Sequence, residues 1–131
     1  MKKLLLIFTL LFSTLMFSTP SYAEWTKVST NVDGDTFYVD FERIRKVDGY
    51  VFYWSLTDYL KPDDDGDLSA KTYKQGDCKL FRFKVLSWSF HKEPMGGGNG
   101  KTDNTPEKEW YYPPPDSSLE TVLKSVCAVP K

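Results

Sequence analysis

The chain has 131 residues, 17 of them basic and 18 acidic, and its formal net charge of -1 disfavours nucleic acid as a partner. Apolar residues make up 40% of the chain and aromatic residues 16%, so one domain of this size can form a core without a structural metal. With two cysteines and one histidine, the chain has too few soft ligands for a tetrahedral zinc site.

Residues 1–23 are predicted to be a secretory signal peptide. Two lysines follow the initiator methionine, an apolar run comes next, and Ser21 and Ala23 occupy the -3 and -1 positions. A retained membrane anchor is the alternative, but the run is short for a membrane span. We expect cleavage after Ala23, no stable membrane insertion, and a mature chain, 24–131, in the periplasm or at the cell surface or outside the cell. Loss of the two lysines would change the net charge from -1 to -3.

Apolar alternation with a period of two predicts β-strands in the first half of the mature chain. We expect strands at 25–30, 36–41 and 50–59, with a tight turn at Asp33-Gly34 between the first two. Residues 42–46 fit either a helical turn or an irregular link.

The second half continues the strand pattern around two loops. Residues 61–67 are expected to form an exposed acidic loop, 69–75 a modest strand and 78–90 the longest strand. The alternation changes phase near Val85, which predicts a β-bulge or a strong twist there. Residues 94–106 contain three consecutive glycines and are predicted to be a mobile loop, and 110–112 a short aromatic strand ended by prolines.

The clearest helix is at the C-terminus. Ser117 can cap it, and Glu120 stands three residues later, as in a capping box. The apolar stripe consists of Leu119, Val122, Leu123 and Val126. Cys127 falls on the same helix face, so its thiol is predicted to point at whatever the helix packs against.

Cys78 and Cys127 are predicted to form a disulfide, because the compartment beyond a signal peptide is oxidising. Two free thiols or half of a zinc site are the alternatives. If Cys78 begins the long strand, the bond pins the helix to the sheet. The predicted fold is therefore α+β: an antiparallel sheet of about five or six strands with a C-terminal helix packed on one face and tied by the disulfide.

The sequence offers no convincing catalytic set, and we predict no catalytic, cofactor-binding or metal-binding residue. His91 is alone beside a Gly-rich loop and is expected to be a surface residue. The acidic runs lack the spacing of an EF-hand and are expected to be solvated turns. A carboxylate-dependent hydrolase would need two acidic side chains facing each other across a cleft, and here the acidic residues cluster in turns.

Aromatic residues are more abundant than a small core requires. Tyrosine and tryptophan are favoured at interfaces because each combines a large apolar area with one polar group. Core packing accounts for some of them, but one helix cannot cover both faces of a sheet. Trp110, Tyr111 and Tyr112, between a loop and three prolines, are the best candidates for a recognition surface.

The pattern resembles the surface-adhesin protein E-like family of bacterial envelope proteins. The resemblance rests on Trp25, on Phe37-Tyr38-Val39-Asp40, on Asp77-Cys78, on Trp110 with its prolines, and on Ser118-Leu119-Glu120 leading to Val126-Cys127. It covers nearly the whole mature chain and implies one domain, an antiparallel sheet with a helix tied to its concave side by Cys78 and Cys127, and a role in adhesion to extracellular-matrix proteins. The family's namesake adhesins are lipoproteins, whereas this precursor has no lipid-attachment cysteine.

We therefore expect a non-enzymatic binding module of the bacterial envelope, adhesin-like, whose partner is an extracellular-matrix protein or another envelope protein. A periplasmic structural or homodimerisation partner is the alternative, followed by a carboxylate-dependent hydrolase.

Overall fold

The computed structural model describes residues 23–130, so the predicted signal peptide, apart from Ala23, lies outside the described residues. Seven antiparallel strands form one sheet in the order β1-β2-β4-β5-β6-β7, and β3 pairs with β4 beyond the end of β2. The strands are β1 Thr26–Thr30, β2 Thr36–Val39, β3 Arg45–Val47, β4 Tyr50–Asp58, β5 Ser69–Asp77, β6 Arg82–His91 and β7 Gly100–Asp103. One helix, α1, spans Ser118–Cys127, and short 3-10 helices span Phe41–Arg43 and Pro94–Gly96.

The centre of the sheet is the antiparallel set β4, β5 and β6. β4 and β5 pair without interruption from Tyr50 opposite Asp77 to Asp58 opposite Ser69. In the β5–β6 pair, Tyr73 faces Ser87 whereas Lys74 faces Val85, so Leu86 is the extra residue of a bulge. The bulge predicted near Val85 is confirmed, and it reverses which residues of β6 point to each face.

The helix packs on one face of the sheet and closes the core. Ser117 caps it, because its Oγ accepts a hydrogen bond from the backbone N–H of Glu120 at 3.1 Å. Val122, Leu123 and Val126 are fully buried. They pack with a sheet-side set consisting of Val39, Val51, Tyr53, Phe83 and Val85. Each such aliphatic side chain contributes roughly 2 kcal/mol by leaving water.

Two links fix the C-terminal end of the helix. Cys78 and Cys127 form the predicted disulfide, with a Cα–Cα distance of 5.7 Å. Cys78 does not begin the long strand as expected, because it lies in the turn between β5 and β6, and β6 begins at Arg82. In addition, Lys46 of β3 donates hydrogen bonds to the carbonyl oxygens of Cys127 and Val129, where the helix dipole favours a cation.

The structure corrects three expectations about loops and short strands. The helical turn suggested at 42–46 is confirmed in part by the 3-10 helix at Phe41–Arg43, but Arg45–Val47 form β3, which was not predicted. The predicted mobile loop at 94–106 contains a 3-10 helix and β7, which pairs with β6. Residues 110–112 make a single bridge, from Phe83 to Tyr111, instead of a strand. In all three places the backbone gains hydrogen bonds from neighbouring strands that local sequence does not specify.

No helix within residues 23–130 has the length and apolar character needed to cross a bilayer.

Candidate functional site

The side of the sheet opposite α1, called here the open face, is built from alternate residues of the central strands. Val51 and Tyr53 of β4 are buried beneath the helix, so their neighbours Phe52 and Trp54 point to the other side. Cross-strand partners extend this surface. It carries Arg45 and Val47 of β3, Tyr50, Phe52 and Trp54 of β4, Tyr73 and Gln75 of β5, and Arg82 and Lys84 of β6. The aromatic members are half-buried.

Three rings form a row across this face. The ring of Tyr73 lies 6.3 Å from that of Phe52 and 4.9 Å from that of Trp54, centroid to centroid. The Arg45 guanidinium lies 5.5 Å from the centroid of Phe52 and donates a hydrogen bond to the Tyr73 hydroxyl at 3.3 Å. These ring–ring and cation–π contacts hold the row in place.

A second cluster surrounds Trp110. Its ring stacks on Tyr50 at 5.9 Å with an interplanar angle of 15°. The Arg82 guanidinium and the Lys84 ammonium lie 4.3 Å and 4.6 Å from its centroid. The loop residue Trp110 is thereby bound to three strand residues, and two cations stand beside one indole.

Asp77 positions Arg82. Arg82 Nε donates to Asp77 Oδ2 at 2.9 Å, and the same carboxylate accepts backbone N–H groups of Lys79 and Leu80. Burial alone would raise the pKa of Asp77, but the hydrogen bonds from Leu80 and Arg82, together with the charge of Arg82, outweigh burial and lower it. Arg82 also donates to the Tyr112 hydroxyl at 3.3 Å.

The open face has an excess of positive charge. Arg82 is neutralised by Asp77, whereas within residues 23–130 neither Arg45 nor Lys84 forms an ion pair. The whole chain carries a net charge of -1, so this positive excess is local.

A groove of about 440 Å³ lies beside the disulfide and meets the open face at the β3–β4 turn; its lining is mainly apolar and also includes Lys46 and Asp48. Val47 and Tyr50 belong to both the groove and the open face, and Phe41 and Ile44 add to its apolar walls. Val47 is 45% exposed, so this end of the surface presents aliphatic area to solvent.

The three residues predicted to form a recognition surface do not share one side of the sheet. Trp110 is half-buried among residues of the open face, and Tyr112 is exposed and reaches Arg82. Tyr111 is also exposed, but its ring lies 5.2 Å from that of Phe83, a core residue on the helix side. The structure therefore brings Trp110 and Tyr112 together with Arg82 and separates Tyr111 from them.

Sequence reasoning missed Phe52, Tyr73, Arg45 and Lys84. The signal for Phe52 and Tyr73 is their spacing: Phe52 stands two residues before Trp54, and Tyr73 lies opposite Trp54 in the β4–β5 register. Arg45 carried no such signal, because its strand was itself not predicted.

The helix side of the sheet contains a buried lysine. Lys74 is 4% exposed, and its ammonium lies 4.8 Å from the Phe83 ring centroid and 6.0 Å from that of Tyr53. Burial lowers the pKa of Lys74 to about 8, and the nearby charge of Glu107 opposes this only in part. Burial also raises the pKa of the fully buried Tyr53 phenol.

His91 is buried at 6% exposure, so the expectation of a surface histidine is wrong. Gly100 of the unexpected strand β7 lies directly on it: a Cβ at Gly100 would come within 2.6 Å of His91 Cε1. His91 Nε2 and the Ser89 hydroxyl are 2.6 Å apart. Burial, followed by the charge of Lys71, lowers the pKa of His91. A serine next to a neutral histidine has the spacing of a nucleophile and a base, but Gly100 covers this pair.

The acidic loop is a hydrogen-bonded turn rather than a fully solvated one. Asp63 Oδ1 accepts the backbone N–H groups of Asp65 and Asp67. Asp67, expected to be exposed, is 7% exposed and pairs with Lys92 at 3.1 Å. Carboxylate oxygens of Asp63, Asp65 and Asp67 lie within 4.8 Å of one another, a proximity that the turn itself explains.

Comparison with known proteins gives one family. The family described as Surface-adhesin protein E matches residues 25–128. No curated protein matches the chain.

Solved structures of Haemophilus influenzae protein E have the same fold. Crystal form II shares 20% sequence identity with this chain, with a TM-score of 0.61, covering 84% of this chain and 91% of that one. A second structure gives a TM-score of 0.60 at 20% identity, covering 84% and 88%. Protein E from non-typeable Haemophilus influenzae gives 0.56 at 20% identity, covering 84% and 79%.

Proposed function

Because the chain belongs to the surface-adhesin protein E family, we propose that it is an exported, non-enzymatic binding module whose protein ligand docks on the open face. The ligand is an extracellular-matrix protein or another envelope protein, and residues 24–131 form the single binding domain. The signal-peptide pattern supports export of the chain, and the family supports a cell-surface location.

The observation that carries the proposal is the aromatic composition of a sheet face that α1 does not cover. Tryptophan, tyrosine and arginine dominate the energetics of protein interfaces, because they combine large contact area with polar groups. Trp54, Tyr73 and Trp110 are half-buried and held by ring stacking and cation–π contacts, so little side-chain entropy remains to be lost on binding.

Two observations favour a binding module over a hydrolase, the first against a carboxylate-dependent enzyme and the second against a serine–histidine one. A general acid needs a raised pKa. The carboxyl groups whose pKa shifts within residues 23–130, Asp77 and Asp103, shift downward: hydrogen bonds outweigh burial at Asp77, and hydrogen bonds from Thr105 lower the pKa of Asp103. The covered Ser89–His91 pair has no open approach for a substrate on the side of Gly100.

Homodimerisation is the second candidate, through the exposed edge strand β7. All four residues of β7 are exposed, so its outer edge is available to a second copy. The strand is short and carries Lys101 and Asp103, features that oppose edge-to-edge pairing.

The test is binding of the purified protein to immobilised extracellular-matrix proteins and to proteins of the producing cell's envelope, measured by surface plasmon resonance. We expect Trp54→Ala combined with Tyr73→Ala to weaken binding by roughly tenfold or more, because interface aromatic residues contribute on the order of 2 kcal/mol. Tyr111→Ala is the matched control, since Tyr111 lies on the helix side, and it should bind like the wild type.

Equal binding by the double variant would exclude the open face as the docking site. Light scattering measures the molar mass of the wild type and of the double variant over a concentration series, which separates ligand binding from dimerisation. A molar mass that rises from that of a monomer to that of a dimer would favour the homodimer.

A further inference from the structure

We propose that the ligand segment bound by the open face is acidic, an extended polypeptide with carboxylates and an apolar side chain; this inference rests on the proposed function. Charge complementarity is the first argument. Arg45 and Lys84 point to the open face and form no ion pair within residues 23–130, whereas the acidic Asp77 of the same face is satisfied by Arg82. A partner carrying carboxylates supplies the missing counter-charges.

The arrangement of the rings is the second argument. Phe52 has Arg45 over one face and Tyr73 beside it, and Trp110 has Tyr50, Arg82 and Lys84 around it. One face of Phe52 and one of Trp110 are already occupied by a cation, which leaves the ring edges to a partner. The edge of an aromatic ring is the positive part of its quadrupole, so carboxylates are again favoured.

The same packing disfavours a single-stranded nucleic acid, although that ligand is also anionic. Bases bind such surfaces by stacking on free aromatic faces. Here cations lie over the ring faces of Phe52 and Trp110.

The groove next to the open face favours a polypeptide over an anionic polysaccharide. Its walls at Phe41, Ile44, Val47 and Tyr50 suit an apolar or aromatic side chain, which a sulfated polysaccharide lacks. Val47 and Tyr50 connect the groove to the cationic clusters, so one extended chain can contact both.

The experiment uses the full protein, expressed with its leader and purified after export. The probe is a fluorescently labelled random copolymer of glutamate and tyrosine, compared with polyglutamate of equal length, and binding is followed by fluorescence anisotropy. We expect the copolymer to bind more tightly than polyglutamate, and its Kd to rise roughly tenfold between 50 mM and 300 mM NaCl as screening increases.

Matched variants test where the charge acts. Arg45→Gln combined with Lys84→Gln should weaken copolymer binding roughly tenfold, through loss of two charges that meet carboxylates. Lys101→Gln combined with Lys124→Gln removes the same charge from β7 and α1, away from the open face, and should leave binding unchanged. Circular dichroism confirms that both pairs are folded.

The proposal is overturned if the copolymer does not bind, if both charge variants bind equally, or if unlabelled heparin displaces the copolymer as effectively as the copolymer itself. Failure of this proposal is distinguishable from failure of the proposed function. If matrix or envelope proteins bind and Trp54→Ala with Tyr73→Ala abolishes that binding, the docking face stands and only its preference for acidic segments is wrong.

Discussion

At the scale of single residues, Lys74 is the most unusual group in the core. It lies between the rings of Tyr53 and Phe83 and is nearly inaccessible to water. A charged ammonium there loses hydration that the rings replace only in part. Its pKa falls from 10.5 to about 8, a difference equivalent to about 3 kcal/mol.

The sign of this shift sets the pH dependence of stability. Below pH 8 both folded and unfolded chains carry the charge, and the folded state bears its full cost. Between pH 8 and pH 10 the folded lysine is neutral while the unfolded one is still protonated, so we expect the free energy of unfolding to rise with pH. Above pH 10 the raised pKa of Tyr53 reverses the trend, because its phenol ionises more readily in the unfolded chain.

Lys74→Met is expected to raise the free energy of unfolding at pH 7 by up to about 3 kcal/mol and to remove most of the rise between pH 8 and pH 10. Urea denaturation at pH 7, 8, 9 and 10 measures both effects. Lys71→Met is the control, because Lys71 lies three residues earlier in β5 and on the opposite face of the sheet. A variant less stable than the wild type at pH 7 would mean that the ammonium stabilises the core.

Individual residues of the candidate site differed in how well the sequence identified them. Trp110 and Tyr112 were identifiable because they stand among turn-forming residues. Phe52 and Tyr73 were indistinguishable from core residues until the face covered by the helix was known. Alternate residues of β4 point to opposite faces, and α1 docks on the face of Val51 and Tyr53. Phe52 and its cross-strand neighbours therefore lie on the other face.

At the scale of elements, α1 is held by a local cap and by a distant covalent bond. Replacing both cysteines, Cys78→Ser with Cys127→Ser, should lower the free energy of unfolding by about 4 kcal/mol, because the disulfide spans 49 residues of sequence. Ser117→Ala, which removes only the helix cap, should cost about 1 kcal/mol.

Guanidinium denaturation of the wild type, the cysteine variant and the cap variant provides the comparison. Wild type treated with dithiothreitol should match the cysteine variant. Equal stability of the oxidised wild type and the cysteine variant would contradict a stabilising role for the disulfide.

Elements with strong local signals were predictable, and elements formed by tertiary pairing were not. The apolar stripe of the helix and the change of alternation at Val85 can be read from the spacing of nearby residues. The structure contains the corresponding helix and β-bulge. Strand β7 contains Gly100, Lys101 and Asp103, residues depleted in strands. It forms because the edge of β6 offers backbone groups to pair with, and because Gly100 fits against His91.

At the scale of the whole molecule, the sheet separates two kinds of surface. The helix side contains the core, and the open face has stacked rings, cations and the neighbouring groove. This division means that substitutions on the open face can change binding with little effect on folding, since Arg45 and Lys84 lie outside the hydrophobic core formed by the described residues.

Location in the cell envelope is the prediction that belongs to this scale. We expect a C-terminally tagged copy to be exported and to lose its signal peptide. If the protein acts at the surface, external protease applied to intact cells should remove the tag. A tag that is protected and then released with periplasmic contents would rule out the surface role and direct the search toward an envelope partner. A cytoplasmic protein of known location, tagged in the same way, is the control for cell integrity.

The disulfide also determines how the protein responds to mechanical load. When residues 23 and 130, the two ends of the described domain, are pulled apart, tension passes from Cys78 directly to Cys127. The 49-residue span that contains β6, β7 and Trp110 is bypassed, which removes about 170 Å of extensible chain. The oxidised protein is therefore a short tether whose second half carries no tension, whereas the reduced protein would extend along its whole length.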